Sequence, residues 1–129
     1  MWFLVASLAV SFGLAPSLLL GEASYETIRS DLSHQLLSID QPALPYRYKI
    51  SLNPTTIQDW VTFLNCKAKY DDPHNLYKEG GDTERNLTDG VYRYSVASGV
   101  SGTNPVRQVT LYGCQRYVNW LENGANGLS

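Results

Sequence analysis

Apolar residues recur at helical spacing in two segments of the chain. In the first segment the apolar face includes Trp60 and Phe63, and it predicts a helix from Ile57 to about Lys69. Thr56 precedes this face, and Asp59 follows three residues later, which is the pattern of a helix start whose orphan amides are capped. The segment is therefore predicted to be a capped amphipathic helix.

The second helical segment runs from Leu111 to about Asn123. Thr110 stands at the capping position, and Gly124 stands where a glycine commonly ends a helix. Together the two helices define the predicted structural core, which is Trp60, Phe63, Leu64, Tyr112, Tyr117, Trp120 and Leu121.

The remaining pattern predicts strands and loops. Alternation predicts strands at 46–50 and 91–96, whereas 70–90 and 97–104 are polar or glycine-rich and are predicted to be loops. Residues 24–45 are expected to be a linker whose three- and four-residue apolar spacing permits a short helix, with His34 as a partly exposed helix residue and not a metal ligand. The fold class is thus α+β, with two helices packed against a few short antiparallel strands.

The first 23 residues are typical of a secretory signal peptide. No charged residue occurs from Trp2 to Leu20, and Gly21-Glu-Ala23 supplies small residues for cleavage before Ser24. No Lys or Arg precedes the apolar run, and the run is long enough to span a bilayer, so a membrane anchor at residues 2–20 is the alternative. We expect a secreted or periplasmic protein, and contact with a membrane only if this segment is retained.

Charge and cysteine content narrow the class of partner. The 129-residue chain has a net charge of −2 and no basic patch, so nucleic acid is not an expected partner. In an exported protein, Cys66 and Cys114 permit a disulfide, and the alternative is two buried free cysteines on helices. If the chain is a binding module, the expected partner is a protein or a glycan of unknown identity.

The acidic loop does not predict a metal site. Asp82, Glu84 and Asn86 alternate as EF-hand ligands do, but Leu87 and Arg93 replace the glycine and glutamate that such a loop requires. We predict no metal and no cofactor. Asn86 does begin an Asn-Leu-Thr sequon, which makes it a candidate for glycosylation.

A cysteine nucleophile is the remaining catalytic candidate. Cys114 falls just inside the second predicted helix, a position that favours the thiolate. Such a nucleophile needs a base, and the histidines of the chain are His34 and His74. A buried structural role for Cys114 is the alternative.

Several of these segments resemble the amino-terminal half of the formylglycine-generating enzyme-like domain, also called the sulfatase-modifying factor domain. The family pattern V-T-N-x-x-Y-x-x-F-L-N is similar to Thr55-Thr-Ile-Gln-Asp-Trp-Val-Thr-Phe-Leu-Asn65. A variable loop with Asn75-Leu-Tyr77 and a strand with Tyr94-Ser-Val96 follow. The pattern N-P-V-x-x-V-S-W-Y-D-A-x-x-F-x-N-W-L-x-N-G is similar to the stretch from Asn104 to Gly124.

The resemblance implies a partial domain over residues 46–129, with a mixed α+β fold related to C-type lectin-like architecture. The family's active-site cysteines, which bind copper in the aerobic enzymes, and its calcium ligands lie in the other half of the domain. Leu111, Gly113 and Cys114 also replace the family's Trp, Asp and Ala. We therefore expect an exported, non-catalytic fragment or degenerate relative of the family, with Cys66 and Cys114 outside the catalytic role. The alternatives are a binding module that uses loops 71–90 and 97–104, and a Cys114-dependent enzyme.

Overall fold

The computed structural model describes residues 25–127, so the predicted signal peptide or anchor lies outside the described residues. The described chain forms two compact units. The first comprises residues 25–27 and 34–53, and the second comprises 28–33 and 54–127. The predicted boundary at residue 46 does not coincide with this division, because residues 46–53 belong to the first unit and 28–33 to the second.

The first unit is a three-stranded antiparallel sheet. Its strands are β1 (Tyr25–Glu26), β2 (Leu36–Ile39) and β3 (Tyr48–Ser51), in the order β1-β2-β3. The strand predicted at 46–50 is confirmed in type and lies at 48–51. The prediction that residues 24–45 could contain a short helix is wrong, because the backbone of β2 pairs with strands on both sides.

His34 lies just before β2 and not on a helix. The residue is 2% exposed, which corrects the predicted partly exposed position. Its Nδ1 lies 2.8 Å from Ser51 Oγ, so a short polar contact satisfies a ring nitrogen that burial removes from water.

The second unit begins with helix α1 (Ile57–Lys67). Thr56 Oγ1 accepts from the Asp59 amide at 3.1 Å, and the Asp59 carboxylate accepts from the Thr56 amide at 2.9 Å. These reciprocal bonds form a capping box and confirm the predicted start. The helix ends two residues earlier than predicted.

A hairpin follows, formed by β4 (Thr83–Thr88) and β5 (Val91–Val96). The two residues that join them, Asp89 and Gly90, have φ of +53° and +74°, as the tightest hairpin turns require. Strand β5 confirms the prediction. The predicted loop at 70–90 is wrong over β4, whose polar sequence carries no alternating apolar face.

Helix α2 (Leu111–Glu122) completes the second unit and packs its aromatic side chains against α1. The Phe63 ring centroid lies 5.2 Å from that of Tyr117 and 5.3 Å from that of Trp120. The predicted cap at Thr110 is confirmed, as is the glycine stop, since Gly124 has φ of +77°. Tyr112 is 49% exposed and Leu121 only partly buried, which corrects their assignment to the core. The other predicted core residues are buried, namely Trp60, Phe63, Leu64, Tyr117 and Trp120.

Candidate functional site

A cavity of about 250 Å³ opens between α1, α2 and the turn at residues 72–76. We call it the Arg116 cavity. It gathers charged, polar and aromatic side chains that are distant in sequence. Those used in the argument below are Phe63, Lys67, Asp72, His74, Arg116 and Trp120.

Asp72 holds the 72–76 turn in place. Its carboxylate accepts from the Leu76 amide at 2.8 Å and from the Tyr77 amide at 2.9 Å. Asn75 has φ of +51°, a conformation that asparagine tolerates better than most residues. Because Leu76 is buried in the core, the turn is fixed at both ends, and His74 is held beside α2.

Arg116 connects α2 to this turn. Its Nη2 donates to His74 Nε2, and because a guanidinium carries only donors, His74 must accept there. Neutral His74 then carries its proton on Nδ1, which lies 3.4 Å from the hydroxyl of Tyr112. The guanidinium also lies over the ring of the half-exposed Tyr112, 5.5 Å from its centroid.

The Arg116 Nε is the unusual atom of the cavity. It is buried, and no hydrogen-bond partner for it occurs among residues 25–127. Buried donors are almost always paired, so an unpaired Nε is a cost of placing this guanidinium between α2 and the turn.

The sequence did not predict this cavity. Lys67, His74 and Arg116 belong to different segments, and His74 precedes Arg116 by 42 residues. Of the two loops proposed for interaction, 71–90 supplies the turn, whereas 97–104 contributes no lining residue of the Arg116 cavity. Instead, Gly102 O accepts from the Gln58 amide at the start of α1. The detectable signal is the Asp-Pro-His sequence of the turn, which lies within the predicted polar loop at 70–90.

The two cysteines are free and have separate surroundings, so the disulfide that the sequence permitted is not formed. Cys66 packs beside the core, with Arg29 Nη1 3.7 Å from its sulfur. Cys114 lies with Leu111 and Val118 along one surface strip of α2. Within the described part of the chain, no hydrogen bond joins either sulfur to a histidine.

The acidic positions of the β4 region interact with neighbouring loops. Asp82 accepts two hydrogen bonds from Arg107, at 2.8 and 3.1 Å, and these lower the pKa of its carboxyl. Glu84 accepts from the Ser98 amide at 3.0 Å. Asn86 is exposed on β4, opposite Arg93. Among residues 25–127, no cluster of His, Cys, Asp or Glu could hold a metal ion.

Gly113 packs against the core of the second unit, although it departs from the family pattern. An alanine Cβ at this position would lie 3.3 Å from the Trp60 ring and 3.2 Å from Thr110 Oγ1. The small residue therefore leaves room for the large indole that stands where the family pattern has tyrosine.

Compared with protein-family models, with curated proteins and with solved structures, the chain matches none. No helix within residues 25–127 is long and apolar enough to cross a membrane.

Proposed function

We propose that this chain is an exported, non-catalytic binding module related to the formylglycine-generating enzyme-like domain, and that its ligand occupies the Arg116 cavity. The observation that carries the proposal is the convergence of Lys67, His74 and Arg116 from three segments on one concave volume that also has aromatic lining. A cavity with a few convergent polar groups on an apolar lining is the usual form of a binding site.

The packing of the two motif blocks supports the proposed family relationship. The Ile57 amide donates to Asn104 O, and the Val106 amide donates to Thr55 O, both at 2.9 Å. These bonds join the first residues of the first block to the first residues of the second. Their α+β arrangement is compatible with the C-type lectin-like architecture that the resemblance implies.

The surroundings of the cysteines support a role without catalysis. A thiol nucleophile needs a base within hydrogen-bond reach. The partner that the structure gives Cys66 is the Arg29 guanidinium, which is not a base, and Cys114 lies beside Leu111 and Val118. No hydrogen bond between Cys114 and a base occurs among residues 25–127, so the Cys114-dependent enzyme is less well supported than the binding module.

Occlusion of the cavity tests the binding role. Asn119 lies at the cavity, and its neighbour Val118 is an exposed α2 residue outside it. We expect Asn119→Trp to abolish binding to glycan arrays, candidate proteins and a small-molecule thermal-shift panel, whereas Val118→Trp retains it. Absence of any binding that Asn119→Trp removes would contradict the proposal.

Two further measurements test the absence of catalysis and the export. The purified chain should not oxidise a sulfatase-type cysteine peptide even with added copper, and turnover would show that the chain is an enzyme.

When the full chain is expressed with its first 23 residues, we expect an exported product that begins at Ser24, as read by intact mass. A retained amino terminus in the membrane fraction would support the anchor instead.

A further inference from the structure

The guanidinium of Arg116 indicates the charge of the ligand. It lines the Arg116 cavity and donates from Nη2 to His74 Nε2, while its Nε is enclosed by protein atoms. A guanidinium carries further N–H groups on its other terminal nitrogen. These groups are suited to a carboxylate, which accepts charge-assisted hydrogen bonds from arginine.

The formal charges of the lining favour an anion as well. Lys67 and Arg116 contribute two positive charges, and Asp72 contributes one negative charge. Both Asp72 oxygens already accept backbone hydrogen bonds from the 72–76 turn and its end. The formal charges of these side chains therefore sum to a net positive charge, which favours an anion.

The size and the apolar lining limit the rest of the ligand. An engineered apolar cavity of about 150 Å³ in another protein admits benzene. The Arg116 cavity, at about 250 Å³, has room for a six-membered ring and a carboxylate. Phe63 and Trp120 offer apolar surface to such a ring.

We infer that the Arg116 cavity binds a carboxylate carried on a six-membered ring, an inference that rests on the proposed binding role of this cavity. The ring acid has two sources: a free aromatic acid, or a hexuronic acid at the end of a glycan. Both present the same carboxylate to Arg116, with Lys67 as the second cation. They differ in the ring that meets Phe63 and Trp120.

The test is calorimetric titration of the mature chain with benzoate and with glucuronate. Benzamide and glucose serve as matched neutral probes. We expect one of the two acids to bind at least about tenfold more tightly than its neutral counterpart, since a charge-assisted hydrogen bond contributes on that scale. The acid that binds identifies the source.

Variants assign the effect to the cavity. Arg116→Gln should weaken binding of the acid about tenfold or more, and Lys67→Gln provides a second, independent loss of charge. Arg93→Gln is the matched control, because Arg93 is exposed on β5 and does not line the cavity. It should bind the acid as the unaltered chain does. Circular dichroism melts establish that each variant is folded.

Three outcomes would overturn the carboxylate inference. The first is binding of benzamide or glucose as tight as that of the acids. The second is unchanged binding of the acid in folded Arg116→Gln and Lys67→Gln, and the third is binding of none of the four probes by the unaltered chain. In each case the proposed binding role is judged separately, by whether any ligand from the broader screen is lost in Asn119→Trp and kept in Val118→Trp.

Discussion

At the scale of single residues, Asp59 connects the start of α1 to the 28–33 segment through one carboxylate. This side chain is 1% exposed. It accepts from the Ser33 amide at 2.8 Å, from Ser33 Oγ at 2.5 Å and from Thr56 Oγ1 at 2.7 Å. Burial alone would raise the pKa of the Asp59 carboxyl, but the hydrogen bonds from Ser33 and Thr56 outweigh it and lower the pKa.

This network predicts a large effect of Asp59→Asn. The amide loses the negative charge and can turn a donor toward other donors, so we expect a loss of about 2–3 kcal/mol in the free energy of unfolding at pH 7. Asp89→Asn is the matched control, because Asp89 lies exposed in the β4–β5 turn, where asparagine is favoured. Urea denaturation of both variants measures the difference, and equal stabilities would contradict the role of the network.

The same carboxyl predicts the pH dependence. Its pKa is lower in the folded chain than in the unfolded chain, so the folded state releases this proton more readily. The stabilisation is then fully present above the unfolded value of about 3.9 and is lost as the pH falls through the lower folded value. The stability gap between the unaltered chain and Asp59→Asn should therefore be constant near neutral pH and shrink below about pH 4.

Gly113 provides a second residue-scale prediction. In an exposed helix, Gly→Ala stabilises by about 1 kcal/mol. Here the new Cβ would press on the buried Trp60 ring, so we expect Gly113→Ala to lower the free energy of unfolding by about 1 kcal/mol instead. Gln115→Ala, on the exposed face of the same helix, should be nearly neutral. In a Trp60→Phe background the ring beside residue 113 is smaller, so the cost of Gly113→Ala should diminish. If Gly113→Ala alone stabilised the chain, the close contact with the Trp60 ring would not be costly.

At the scale of elements, α1 covers the outer edge of β5 with a side chain. Asn65 Nδ2 donates to Tyr94 O, and Asn65 Oδ1 accepts from the Tyr94 amide, both at 2.9 Å. The Tyr92 amide donates to Lys69 O at 2.7 Å. These contacts satisfy backbone groups that an open strand edge would leave to water or to another chain.

Loss of this cover should be measurable. Asn65→Ala removes both bonds to Tyr94, and we expect a cost of about 2 kcal/mol because a donor and an acceptor lose their partners near the core. Asn119→Ala changes the same residue type at an exposed α2 position and should cost less than about 0.5 kcal/mol. Hydrogen exchange at the Tyr94 amide should accelerate in Asn65→Ala only. Unchanged protection of that amide would contradict the account.

The elements that sequence could predict are those with local signals. Both helices follow from apolar periodicity together with caps at Thr56 and Thr110, which act within one turn of the backbone. Strand β4 has no such signal in its own polar sequence, because it forms by pairing with β5. The Asp89-Gly90 pair directly before β5 was a usable hairpin signal. The apolar residues of 24–45 stand three and four apart and so permitted a short helix, whereas β2 forms by pairing with β1 and β3, which the sequence does not show.

The candidate site was out of reach for the same physical reason. The Arg116 cavity exists because α1 and α2 pack through their aromatic faces, which brings Lys67 close to Arg116. Its turn is fixed by Asp72, which bonds to the Leu76 and Tyr77 amides; the Asp-Pro-His sequence indicates a turn there but not its place beside α2. Sequence alone could predict the helices, but not which polar residues they would bring together.

At the scale of the whole molecule, the second unit draws on residues well before the predicted domain. Arg29 Nη1 donates to Ala125 O at 2.8 Å, and the guanidinium lies 6.0 Å from the centroid of the Trp120 ring. Leu32 belongs to the same hydrophobic core as α1, β5 and α2. The 28–33 segment is therefore part of the core that positions the Arg116 cavity, although the family resemblance begins only at Tyr46.

Because Leu32 belongs to this core, a substitution there should destabilise the second unit, although the sequence predicts a linker at 24–45. Leu32 is 7% exposed, so Leu32→Ala should lower the free energy of unfolding by about 2–4 kcal/mol. Leu87, at 62% exposure on β4, is the matched control, and Leu87→Ala should cost less than about 0.5 kcal/mol. Fluorescence of Trp60 and Trp120 during urea denaturation should report one transition, shifted as a whole in Leu32→Ala. If Leu32→Ala and Leu87→Ala were equally mild, the 28–33 segment would be a linker after all, and the core would consist of residues 54–127 alone.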